Sequence, residues 1–213
     1  MHQNLDTSPR RFHAAIVAAL LFLTGLTAAN AASPAESFIQ TNVQTGLAIL
    51  NDKSLSADAR RSQFRSFLES LTDIHRIAIF TLGTAAKTAA PADVDAFVES
   101  FRDYAAAVYQ QQLAHYSGQS LKVTGSVERA AGDTIVQTMV VQPGGSAGGD
   151  EVDFRVDDEN GKPVVIDASV SGIWLALQER DQFTAFLSQH NNDVKALAAD
   201  LEQRAASIRA GGN

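Results

Sequence analysis

Residues 151–171 read EVDFRVDDENGKPVVIDASVS. Val152, Phe154 and Val156 alternate with charged residues, Asn160-Gly161 is a favoured two-residue hairpin turn, and an apolar run resumes at Pro163. A period of two on both sides of such a turn predicts paired antiparallel strands. In the second of them, Val164, Ile166, Ala168 and Val170 fall on one face, with Val165, Asp167, Ser169 and Ser171 on the other. The first set predicts a dry face. The same period runs back through Leu121–Val123 and Thr134–Gln142, and the joints between the runs are Ala131-Gly132-Asp133 and the glycine-rich residues 144–149. Four strands in a meander are expected.

On either side of this block the period lengthens to that of a helix. Phe38, Ile39, Val43, Leu47 and Leu50 recur at three and four after Pro34, and Phe64, Phe67, Leu68 and Leu71 do so after a capping Ser56. From Asp73 an almost wholly apolar stretch, including Ile77 and Phe80, runs to Gly83 and predicts a buried helix. Pro91 opens the strongest helix, with Asp93 and Asp95 near its positive end and Phe97, Phe101, Tyr104 and Val108 along one side; Gly118 stops it. After Gly172 the helical period returns through Trp174, Phe183 and Leu187, and again through Val194, Leu197 and Leu201 with Asn192 as a cap. No long linker interrupts residues 32–213. The fold class is α+β: one domain in which a curved, four-stranded antiparallel sheet packs against several helices.

The chain has 213 residues, 45% hydrophobic and 19% charged, which suits a folded domain with a substantial core rather than a disordered chain. It contains no cysteine, so disulfides, thiol nucleophiles and iron–sulfur or Cys-based zinc sites are excluded. A net charge of −7 argues against a nucleic-acid binder, which needs clustered cations to neutralise phosphates. Arg10 and Arg11 precede an apolar run from Ala14 to Leu23, and small residues close at Ala29-Asn30-Ala31. This is the pattern of a secretory signal peptide over residues 1–31, with cleavage after Ala31. The run is shorter than the roughly 20 residues that span a bilayer, so export is expected rather than permanent anchoring.

Catalytic motifs are weak. Gly144-Gly145-Ser146-Ala147-Gly148 matches the G-x-S-x-G of serine hydrolases, but another strand follows where that motif requires a helix, so a hairpin connection is the better reading. His75, His115 and His190 are far apart in sequence, and no metal pair is expected. Asp73 and Asp167 each sit beside an apolar run. Asp73 reads as a helix cap and Asp167 as a residue of the wet sheet face; the alternative for either is a general base in an apolar cleft. The phenylalanines at helical and strand spacing are core by default, and periodicity alone does not separate a filled core from a hollow one.

Taken in order, the segments resemble the MlaC or toluene-tolerance family of periplasmic phospholipid-binding proteins, including its hopanoid-associated HpnM branch. The resemblance rests on Phe101-Arg102-Asp103-Tyr104, Tyr109, Leu113 and Tyr116-Ser117-Gly118; on Asp73 with Ile77-Ala78 and Leu82-Gly83; and on Val165-Ile166-Asp167, Val170 and Gly172-Ile173 followed by Gln182-Phe183. It covers about Glu36 to Leu201. The chain departs from the family pattern at Pro163, where a Trp is usual, and at Trp174, where a Ser is usual.

The resemblance implies a carrier, not an enzyme, that encloses the acyl chains of a phospholipid or hopanoid-like lipid in an apolar pocket between helices and sheet. It implies an inner-membrane ABC transporter complex and an outer-membrane lipoprotein complex as partners, and neither metal nor other cofactor. Facing and neighbourhood nominate Ile77, Phe80, Phe101, Tyr104, Val108, Met139, Phe154, Ile166, Val170 and Trp174 as pocket residues. Two other classes share the architecture: a small enzyme of the NTF2-like kind using a cavity Asp or His, and an adaptor with a filled core.

Overall fold

The computed structural model describes residues 32–145, 147–159 and 161–211. The expected signal peptide and its cleavage site, Ser146 of the G-x-S-x-G stretch, and Asn160 of the hairpin turn lie outside them. The helices begin where the sequence supplies caps. Helix α1 (Pro34–Asn51) has Pro34 in its first turn and a reciprocal pair in which the Ser33 hydroxyl accepts the Glu36 N–H and the Glu36 carboxylate accepts the Ser33 N–H. The Ser56 hydroxyl accepts the Ala59 N–H to start α2 (Ala57–Leu71), and the Asp73 carboxylate accepts the Arg76 N–H at the head of α3 (Ile74–Leu82). A short 3₁₀ turn, Gly83–Lys87, leads to α4 (Pro91–Ala114).

Strands β1 (Ser120–Ala130), β2 (Asp133–Val141), β3 (Ala147–Glu159), β4 (Lys162–Val170) and β5 (Ile173–Trp174) form one antiparallel sheet in sequential order. The sheet therefore has a fifth strand beyond the four expected. It is two residues long, pairing Trp174 with Ser169 and Ile173 with Val170, and is too short to show any alternation. Helices α5 (Leu175–Gln189) and α6 (Val194–Arg209) follow. The cap of α6 is Asp193, whose carboxylate accepts the Ala196 N–H, rather than Asn192. Asn191 and Asn192 instead take left-handed backbone angles, φ 54° and 58°, in the turn between the helices, a conformation asparagine tolerates better than most residues.

One sheet feature corrects the sequence reading. Phe154 pairs with Ala168 and Arg155 with Asp167, but Val156 pairs with Val165, so Ile166 is an extra residue in β4. A bulge of this kind shifts the alternation by one. Val165, not Val164 or Ile166, joins Val136 and Val156 in the core, while Val170 at the far end of the strand is 40% exposed.

Two separate cores result. The larger joins α3, α4, α5 and α6 through Leu82, Phe97, Phe101, Phe183, Leu197 and Leu201. Within it the Phe183 ring meets Phe97 and Phe101 edge-on at 5.8 and 6.2 Å between centroids. The smaller seats Ala35 and Ile39 of α1 on Val136, Val156 and Val165 of the sheet. Helix α2 has no fully buried residue. Its apolar stripe is turned toward a space that neither core fills.

Candidate functional site

That space is an apolar chamber of about 330 Å³ between α1, α2 and the inner face of the sheet. Val43 and Leu47 of α1, Phe64, Phe67 and Leu68 of α2, and Val140, Phe154 and Ala168 of the sheet line it. A second cavity of about 160 Å³ lies among α3, α4, α5 and β4. The two share Thr72, Tyr109, Val165, Ala168 and Leu175 as walls. Tyr109 stands where the two cavities meet; burial and the nearby Asp167 charge raise its hydroxyl pKa.

Close approach of α1 and α2 shapes the chamber's roof. A Cβ on Gly46 would stand 3.1 Å from the Phe67 ring and 3.2 Å from the Phe64 ring, so glycine lets these rings lie directly against α1. The two rings are 5.9 Å apart and tilted at 47°.

The smaller cavity carries the polar groups. Asp167 Oδ1 accepts the Ala168 N–H at 2.8 Å and the Ala176 N–H at 2.9 Å. It thus caps α5 from the neighbouring strand, where the residue in the cap position, Trp174, has no oxygen to offer. Burial raises the Asp167 pKa; the two backbone bonds and the Arg155 charge pull it back in part. Glu179 Oε1 accepts the Tyr104 O–H at 3.2 Å, while Glu179 Oε2 is buried with no hydrogen-bond partner. Burial is the main cause raising the Glu179 pKa. Burial and the Glu179 charge together push Tyr104 up to about 12.

As chemistry, this set is poor in partners. Among the described residues no histidine or serine lines the smaller cavity beside Asp167, and one of the two Asp167 oxygens already holds a helix terminus. Among the described residues no group of three His, Cys, Asp or Glu could hold a metal ion, and no helix is long and apolar enough to cross a membrane.

The structure brings Ile77, Phe101, Tyr104 and Val108 together in the smaller cavity and places Phe154 in the larger. The other nominated residues line neither. Ile166 is the bulge residue. Met139 is 39% exposed and follows Thr138, which is buried, and precedes Val140, which faces the chamber; strict alternation turns it outward. Val170 lies at the open end of β4, and Trp174 is consumed by the short strand β5. Phe80 is partly exposed beneath the Arg180 guanidinium, 5.1 Å from the ring centroid. Sequence reasoning did not nominate the α1 and α2 residues, Tyr109, Val165 or Leu175. The signal for α1 and α2 was their apolar stripes, which look the same whether they cover a core or a cavity.

Helices and an antiparallel meander held apart around an apolar hollow define an α+β domain built to enclose something. The chain belongs to the MlaC protein family, whose model matches residues 40–203. Among solved structures it is similar to a phospholipid-binding protein from Ralstonia solanacearum, determined in complex with a phospholipid. The TM-score is 0.72 at 22% identity, over 83% of this chain and 99% of that one. At that identity the likeness is one of fold. No curated protein matches the sequence.

Proposed function

We propose that this protein is a lipid carrier that shields the acyl chains of a phospholipid or related lipid in the joined cavities. The observation that carries this reading is the chamber between α1, α2 and the sheet, walled by side chains that elsewhere would be packed against each other. Exposing acyl chains to water costs about 0.8 kcal/mol per CH₂, so a carrier must offer a dry, elongated volume. Membership of the MlaC family and the phospholipid in the similar structure support the cargo class. The finer reading is that residues 1–31 direct export to the periplasm. There the protein moves lipid between an outer-membrane lipoprotein complex and an inner-membrane ABC transporter complex. The pocket residues are Ile77, Phe101, Tyr104, Val108 and Phe154, extended by the α1 and α2 stripes. A binding role rather than catalysis accounts for Asp167, whose burial is explained by capping α5.

Native mass spectrometry of periplasmic protein tests this: co-purified phospholipid is expected, and a protein empty of lipid would refute it. Ala168 walls both cavities. Ala168→Trp is expected to fold with a melting temperature near that of the delipidated parent and to carry much less lipid. Full lipid loading in that variant would show that the cavities are not the site.

A further inference from the structure

The chamber opens beside a second, very different surface. A cleft of about 410 Å³ lies between the α1–α2 turn and the segment after α4, and it shares Leu50 and Tyr116 with the apolar chamber. Lys53, Arg60 and Arg61 line it, and among the described residues no acidic side chain does. In a chain of net charge −7 this is a local reversal of sign. The nearby acids are already engaged. Asp58 pairs with Arg61, and the Asp52 carboxylate accepts the Ser54 N–H at 2.8 Å and the Ser54 hydroxyl at 2.6 Å. Arg60 donates one N–H to the Asp52 carbonyl at 3.2 Å, and its charge is a lesser cause, after the Ser54 hydrogen bonds, of the lowered Asp52 pKa. Lys53 makes no ion pair among the described residues. Asn51 Nδ2 donates to the Tyr116 hydroxyl oxygen at 3.3 Å, which leaves the hydroxyl hydrogen free to be donated in turn.

We propose that this cleft is an anion site in which Lys53, Arg60 and the Tyr116 hydroxyl hold the phosphate of a lipid whose acyl chains occupy the chamber. The proposal rests on the carrier reading and adds the part of the cargo that reading leaves unplaced. Two cations and a hydroxyl donor converging at the mouth of an apolar hollow match an amphiphile with a phosphodiester at one end. The same groups would also take free inorganic phosphate, so the source of the anion has to be distinguished.

The test uses the delipidated protein and vesicles containing equal amounts of phosphatidylglycerol and a diacylglycerol with the same acyl chains, with the extracted lipid counted by mass spectrometry. The parent is expected to favour phosphatidylglycerol by about tenfold, the scale of a charge-assisted contact. Lys53→Gln with Arg60→Gln should abolish that preference while leaving diacylglycerol uptake unchanged, and Lys53→Arg with Arg60→Lys should preserve it. Added inorganic phosphate at millimolar levels should not erase the preference. Equal uptake of the two lipids by the parent, or an undiminished preference in the Gln variant, would overturn the head-group site while the carrier stands. Binding of inorganic phosphate without any lipid preference would overturn it too, as an anion site of a different kind. Failure of the parent to take up either lipid would overturn the carrier reading, and this proposal with it.

Discussion

Glu179 and Asp167 are carboxyls that the fold holds at a cost. Each is raised mainly by burial, so the folded protein binds their protons more tightly than the unfolded chain does. The stability linked to them is therefore greatest in acid and declines as pH climbs from the ordinary carboxylate value through the raised one. Asp133 works in the opposite sense. Two bonds from Arg155, both at 2.9 Å, hold it below its usual 3.8, and its contribution is present above that value and lost as pH falls through the lowered one. Glu179→Gln keeps an acceptor for the Tyr104 O–H and removes the buried charge. It is expected to raise the melting temperature near neutral pH, with the gain fading as pH falls through the raised value and gone below the ordinary value of 4.5. Thermal melts across that range check this, and a gain of constant size at every pH would show that charge burial is not its source.

Two glycines test how the elements are fitted together. A Cβ on Gly149 would stand 2.5 Å from the Val140 carbonyl oxygen and 2.6 Å from its Cβ, beside the register shift between β2 and β3. Backbone cannot yield there as a side-chain end can. Gly149→Ala is expected to destabilise by about 1–3 kcal/mol, read as a lower urea midpoint. Gly46→Ala meets only the Phe64 and Phe67 rings, which border the chamber and can swing into it. Its stability should stay close to the parent's while lipid loading falls; a large loss of stability would mean that the rings are fixed. The elements themselves were legible in the sequence, because Ser56, Asp73, Pro91 and Gly83 mark helix ends by simple hydrogen-bond and backbone chemistry. The bulge was not. Val164-Val165-Ile166 is uniformly apolar and β-branched, so no polar residue marks which of the three is the extra one; strict alternation turns Ala168 inward correctly but carries Ile166 and Val164 with it, where the bulge places Val165 instead. The pair of cavities was half legible. Phe101, Tyr104 and Val108 lie on a helix face that packs inward whatever fills the centre, whereas the stripe on α2 gave no sign that its partner was missing.

At the scale of the whole domain, packing is incomplete in the hollow that borders both the α3–α6 core and the α1–sheet core. A ligand that fills it completes the protein's interior. The loaded form should therefore melt well above the delipidated one, by the mass-action stabilisation that any native-state ligand provides; equal melting temperatures would argue against occupancy of this space. Helix α2 follows from the same geometry in another way. With no fully buried residue of its own, it has little to hold it down except whatever lies beneath it. In deuterium exchange its amides should open and label quickly when the protein is empty and slow sharply once cargo is aboard, while α4 and α6 label at nearly the same pace in both states. The helix is thus a loading gauge built into the backbone, readable without any label on the lipid.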